Sequence, residues 1–270
     1  AVMLTDSKLE ARVFSDVASK LLFSGSLFVL LMMRGKRFFD RKYWRFALVF
    51  NLPLIPHYLS TYVLNQSDRL MIGRMVGNSQ AAFYSVAYTI ANVVMLVATA
   101  ILSSLTPYLF RRLETGDTAG IKGNMTPILL LMGALCVLTM TFAPEVIFLF
   151  AGQKYMDAIY VIPPVSASVF FIFLYSLFGV VGYYYQKTNY VAAATTISAV
   201  LNIVLNYFGI KWFGYHAAGY TTLICYIGMA LLYYVFYRKI VNEQMADCAP
   251  MYDLRLILVL GIVMIGVTVL

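Results

Sequence analysis

The chain has 270 residues, of which 61% are hydrophobic, 16% aromatic and only 12% charged. Soluble domains carry roughly a quarter of their residues as Asp, Glu, Lys or Arg, so a mean hydropathy of +0.79 excludes a soluble domain and defines a polytopic membrane protein. The formal charge of +8 does not point to nucleic acid, because six of the twenty basic residues crowd into one short segment.

Apolar stretches separated by short polar breaks fall at residues 17–33, 46–70, 81–106, 125–150, 158–184, 189–209, 216–237 and 254–270. Each can cross a hydrocarbon core of about 30 Å as a helix, since ~20 residues suffice at 1.5 Å per residue. Helices close their own backbone hydrogen bonds, and the alternating short strands of a barrel are not seen. The expected fold is therefore all-α, a bundle of about eight membrane helices.

The first break, "RGKRFFDRKYWR", holds Arg34, Lys36, Arg37, Arg41, Lys42 and Arg45 and reads as a cytoplasmic loop. It can also contact anionic membrane lipid. With that loop inside, thirteen Lys and Arg lie on the cytoplasmic side and seven outside. No polar connection exceeds about 20 residues, and P-loop, HExxH, GxSxG and Gly-rich dinucleotide patterns are absent. Two histidines in separate stretches do not suggest a metal site, and three cysteines without Cys-x-x-Cys spacing read as packing residues. No enzymatic or cofactor chemistry is indicated. The chain starts with Ala, and its last apolar stretch stops after 17 residues, so it reads as a piece of a longer protein.

The second stretch, "NLPLIPHYLSTYVLNQSDRLMIG", carries Pro53, Pro56 and an Asp–Arg pair amid apolar residues. At 100° per residue, Asn51, Tyr58, Tyr62, Asn65 and Arg69 share one arc of a helix. A neighbouring arc holds His57, Thr61 and Asp68. Residues 46–76 are expected to form one helix about 46 Å long, bent near Pro53 to Pro56, with its stripe facing a groove. Tyr84, Tyr88, Asn92, Met95 and Thr99 line one side of the next stretch, and Thr188, Thr195, Asn202 and Asn206 one side of the sixth. Such residues can simply join neighbouring helices. Three stripes on three helices favour a shared water-accessible cavity. Asp68 and Arg69 lie within the outer half of the membrane, where ionisable residues are costly and usually functional.

The run "NLPLIPHYLSTYVLNQSDRLMIGRMVGNSQAAFYSVAYTIA", on to "AILSSLTPYLFRRL", resembles the second lobe of polysaccharide (O-antigen type, Wzx-like) flippases of the multidrug/oligosaccharidyl-lipid/polysaccharide exporter superfamily. "FAPEVIFLFAGQKYMDAIYVIPPV" and "LYSLFGVVGYYYQKTNYVAAATTISAVLNIVLNYFGI" extend the resemblance over residues 17–240. It implies two six-helix lobes around a cationic cavity and alternating access. The implied substrate is an undecaprenyl-pyrophosphate-linked oligosaccharide, moved from the cytoplasmic to the outer leaflet of the bacterial inner membrane. Residues 1–45 then hold the last helix of the first lobe and a basic linker, 46–240 the second lobe, and 241–270 a loop and the start of an extra helix. The rest of the first lobe, and other polysaccharide-assembly proteins, are the implied partners.

A pyrophosphate calls for cations, and Arg offers a planar fork to phosphate oxygens. Arg69 is the first candidate and Arg74, nearer the outer mouth, the second. Lys122 and Lys187, at cytoplasmic helix ends, can meet the headgroup on entry or act as ordinary anchors. Tyr58, Tyr62, Tyr84 and Tyr88 can stack on sugar rings, with Asn51, Asn65, Asn92, Asn202 and Asn206 as polar partners. Asp68 and Glu145 are candidates to bind a coupling proton or sodium ion. An ion-coupled drug exporter is the alternative within the superfamily, and a glycan-processing membrane enzyme lacks the large outer loop it needs.

Overall fold

The computed structural model describes residues 8–35, 39–52, 54–244 and 250–269. Ten α-helices and one 3-10 helix account for nearly all of them. The helices are α1 (Lys8–Gly35), α2 (Arg41–Asn51), α3 (Leu54–Met75), α4 (Asn78–Thr115), α5 (Ala119–Thr141), α6 (Ala143–Phe150), α7 (Ile162–Tyr184), α8 (Thr188–Phe213), α9 (Ala217–Gln244) and α10 (Leu254–Val269). The 3-10 helix, Gln153–Val161, leads into α7. Seven helical segments among the described residues are long and apolar enough to cross a membrane, while α10 has 16 residues.

The chain divides into two compact units, residues 1–49 and 50–270. The first consists of α1 and most of α2. Leu21, Leu22, Phe23, Leu27 and Phe28 are all exposed on α1, as a helix surrounded by lipid requires. Asp40 caps α2, accepting from the backbone N–H of Lys42 at 2.9 Å and of Tyr43 at 3.4 Å. Arg34, Arg41, Lys42 and Arg45 sit at the ends of these helices, whereas Lys36 and Arg37 lie outside the described residues.

The second unit is organised around α7. Its sequence, "IPPVSASVFFIFLYSLFGVVGYY", is apolar on every side, and a helix of that kind belongs in an interior. Helices α9, α4, α5 and α10 pack on it. Helix α3 lies on α8 and α4, and α8 on α9. Small residues allow these approaches. A Cβ on Gly219 would stand 2.9 Å from Pro164 of α7, and one on Gly209 would stand 2.8 Å from Thr221 Cγ2 of α9. Cys136 and Cys225 are buried free thiols in this packing; Cys248 lies outside the described residues.

Two expected helices are divided. The stretch 46–76 is interrupted where the bend was expected: α2 ends at Asn51, Leu52 is a turn, and α3 begins at Leu54, while Arg41–Met75 together is long and apolar enough for one membrane span. A residue before proline is held out of the α region, which accounts for the break at Leu52; Pro53 itself lies outside the described residues. The 125–150 stretch divides into α5 and α6 around Phe142. Pro144 has no N–H to continue the ladder, and it stands in the first turn of α6, where that missing donor costs nothing.

Candidate functional site

Asp68 is 0% exposed in the middle of a membrane helix. Its carboxylate is met from three neighbouring helices as well as from α3. Tyr84 of α4 donates its hydroxyl to Oδ2 at 2.6 Å, and Thr222 of α9 donates to the same oxygen at 2.9 Å. Asn206 of α8 donates its amide to Oδ1 at 2.5 Å. Ser67 and Tyr88 complete the ring at 3.4 and 3.5 Å.

A second tier fixes these donors. Asn202 Nδ2 donates to Thr222 Oγ1 at 3.0 Å, and Asn202 Oδ1 accepts from Asn206 at 3.1 Å and from Ser67 at 2.7 Å. Thr221 donates to Asn206 Oδ1, which leaves the amide nitrogen of Asn206 to face Asp68. Tyr226 donates to Asn65 Oδ1 at 3.3 Å. Gly209 lets α9 come close enough for Thr221 to reach Asn206.

This arrangement holds a carboxylate away from water with dipoles alone. No ion pair to Asp68 is present among the described residues. Arg69 follows it in sequence but turns away, its guanidinium carbon 5.1 Å from the centre of the Tyr88 ring, a cation–π distance. Arg69 Nε is itself buried with no hydrogen-bond partner. A buried anion without a counter-charge carries a desolvation cost of about several kcal/mol, so the site gains from anything that neutralises Asp68. Its neighbours are hydroxyl and amide groups, which suit a proton or a hard monovalent cation. No group of three or more His, Cys, Asp or Glu among the described residues could hold a metal ion.

The expected stripes meet different fates. Asn202, Asn206 and Tyr84 are fully buried and Tyr88 nearly so. Here they hydrogen-bond Asp68 or one another between helices and do not line an open groove. Thr188 and Thr195 of the same α8 stripe are buried as well. Tyr58 and Tyr62 are 64% and 66% exposed on the other face of α3. Asn65, Asn92 and Arg74 are exposed too. Asn51 is exposed at the end of α2.

Lys122 is engaged rather than free for a headgroup. It pairs with Asp253 at 3.1 Å, just ahead of α10. That contact, with backbone N–H groups of the first turn of α10, holds the Asp253 carboxyl below the usual carboxylate range. Lys187 precedes α8 and is half-buried. Glu145 stands exposed in the first turn of α6 and is not among the groups around Asp68. Sequence reasoning missed Ser67, Thr221, Thr222 and Tyr226. The pair Thr221–Thr222 within the apolar run of α9 was the available signal, but only the packing of α9 on α3 and α8 gives it meaning.

A family model described as polysaccharide biosynthesis protein matches residues 1–113. Over 165 residues the chain is 23% identical to a protein of the Lsg locus of Haemophilus influenzae, covering 58% of this chain and 40% of that protein. A solved MOP superfamily transporter from Pyrococcus furiosus, reported with a binding pocket of reversed polarity, superposes with a TM-score of 0.58 at 17% identity. An outward-facing multidrug resistance transporter of the MATE family, in the same superfamily, gives 0.56 at 18%. Each superposition covers 82% of this chain and 51% of the other. The chain thus spans less than half of its curated relative and about half of each solved transporter. The fold is that of MOP superfamily transporters: an all-α, multi-pass membrane bundle.

Proposed function

We propose that this chain is the second lobe of a bacterial inner-membrane flippase. It moves an undecaprenyl-pyrophosphate-linked oligosaccharide from the cytoplasmic to the outer leaflet by alternating access. The polysaccharide-biosynthesis match over residues 1–113 and the superfamily fold support the class. The observation that carries the reading is the adjacent pair on α3. Asp68 is sealed among donors, and Arg69 leans over Tyr88 with an unsatisfied Nε.

In this proposal the two residues divide the work. Arg69 offers its fork to the pyrophosphate, where charge-assisted bonds are strong, and the exposed Tyr58 and Tyr62 stack on sugar rings. Asp68 takes up the coupling proton or sodium ion, drawn by relief of its buried charge. Proton uptake requires one hydroxyl around it, Tyr84 or Thr222, to turn from donor to acceptor.

The test is restoration of surface glycan in a flippase-deficient strain by the full-length protein at verified membrane levels. Arg69→Ala is expected to abolish it and Arg69→Lys to retain part. Asp68→Asn is expected to remove dependence on the ion gradient. Normal glycan from Arg69→Ala at normal expression would overturn the pyrophosphate role. The likeness to a multidrug MATE transporter and the buried Asp68 favour, as a second reading, an ion-coupled small-molecule exporter. Drug resistance conferred without glycan restoration would select it.

A further inference from the structure

A second polar cluster lies on α3, three turns from Asp68 and about 16 Å away along the helix axis. His57 is 8% exposed, yet both of its ring nitrogens have hydroxyl partners. Nδ1 stands 2.9 Å from Thr195 Oγ1 of α8, and Nε2 stands 3.3 Å from the Tyr183 hydroxyl of α7. One turn further on, Ser60 donates to Thr196 of α8 at 3.2 Å, so this part of α3 is joined to α8 twice.

The network assigns the tautomer. Thr195 has one hydroxyl hydrogen, and it is directed at the Val191 carbonyl at 2.7 Å. Thr195 can then only accept from the ring, so the imidazole hydrogen sits on Nδ1. Nε2 is left with its lone pair, facing a hydroxyl that can donate to it or, after rotating, accept from it. A neutral ring held this way has one basic nitrogen and one partner able to serve both protonation states.

The partner also gives access. Tyr183 is half-buried, and the ring of the exposed Tyr58 lies 5.3 Å from that of His57. The cluster therefore adjoins the open face of α3. The titratable groups facing it are Tyr58 on α3, Tyr183 on α7, and Tyr233 of α9, whose hydroxyl reaches the Val191 carbonyl at 3.4 Å beside Thr195. The groups contributed by α8 are hydroxyls. Among the described residues no charged side chain bonds to the ring. We infer that His57 is a second proton-binding site, separate from Asp68, taking its proton at Nε2 from the open face of α3 through the Tyr183 hydroxyl.

The inference does not rest on the flippase reading, because the ring can be observed directly. Full-length protein in lipid nanodiscs, labelled with 15N at histidine, is titrated by NMR, and the His57 signals are identified by their loss in His57→Gln. At high pH the hydrogen is expected on Nδ1. The ring should convert to imidazolium as the pH is lowered, and the 15N shifts read the midpoint. Thr195→Val should move the hydrogen to Nε2, while Thr195→Ser, which keeps the hydroxyl, should leave it in place. Tyr183→Phe should shift the midpoint. A ring that stays neutral down to pH 5, or carries its hydrogen on Nε2 in the unmodified protein, overturns the site. A midpoint unchanged in Tyr183→Phe overturns the route. Gradient dependence that vanishes in Asp68→Asn while the His57 titration persists separates this site from the coupling site.

Discussion

The two faces of α3 are both polar and yet do opposite things. One face presents His57, Ser60 and Asp68, all buried and all hydrogen-bonded to α4, α7, α8 or α9. The other presents Tyr58 and Tyr62, exposed over most of their surface, with Arg69 at its margin. In water a polar residue turned inward is an exception that must be explained. In a membrane helix the inward face is where polar groups find partners, and the lipid face is where they cannot. The contrast is between polar groups that bind neighbouring helices and aromatic groups that no part of this unit covers.

The largest effect is expected from removing the acceptor on the buried face. Asp68→Ala leaves the Tyr84, Thr222 and Asn206 donors without their partner. At about 0.6 kcal/mol for each lost bond in a membrane bundle, the loss of these three comes to roughly 2 kcal/mol. Thermal unfolding of the full-length protein in detergent should fall well below that of Asp68→Asn, which keeps an acceptor oxygen. Equal melting of the two variants would mean that the network adds little to stability.

A smaller loss is expected at the seam that brings α9 to the site. In Gly209→Val the new Cβ would meet Thr221 at 2.8 Å, and overpacking of that kind typically costs about 1–3 kcal/mol. Gly209→Ala should show the lower end, and Gly214→Ala, in the α8–α9 turn away from the seam, tests whether the effect is specific to it. Gly214 has φ 77°, so its cost is a backbone one and should leave the Thr221–Asn206 contact in place.

The open face should respond chemically rather than in stability. Cysteines at 58 and 62 are expected to react with water-soluble thiol reagents faster than cysteines at 59 and 70, which replace exposed Leu59 and Leu70. Cysteines at 60 and 64, on the buried face, should be slowest. Equal rates at 58 and 59 would make the tyrosine face a lipid surface. The smallest effect is expected at Lys122–Asp253. The pair depresses the Asp253 carboxyl, so its contribution is present above the ordinary carboxylate value and is lost as pH falls through the lowered one. Lys122→Ala should raise the Asp253 titration measured by NMR and leave stability at neutral pH little changed.

Much of the bundle was legible because long apolar runs leave the backbone no choice but helix. Asp68 stood out for the same reason, as an acid in a run where acids are costly. The breaks at Leu52 and Phe142 were half legible: both are set by proline, but whether a proline bends a helix or ends it depends on what packs beside it. The direction of each stripe was not legible. Leu, Ile and Phe face lipid as readily as they face the core, so the pattern that fixes the inward side of a soluble helix is flat here. Asn202 and Asn206 therefore looked like cavity residues and are interior donors. Thr222 and Tyr226 went unnoticed because a lone hydroxyl in an apolar helix has no meaning until its neighbour is known. Lys122 looked like a free cation because Asp253 lies more than a hundred residues away in sequence.

Helix α7 is enclosed by α9, α4, α5 and α10. A rod gripped around its whole circumference cannot slide or rotate without unseating every neighbour at once, so it acts as the keel of the second unit. Motion within the unit is left to its periphery. Helix α3 is the element best placed to supply it, since it bears on α8, α4 and α9 while Tyr58, Leu59 and Tyr62 on its other side stay exposed, and it begins just after the proline break. Asp68 and His57 both ride on that movable helix, facing the fixed ones.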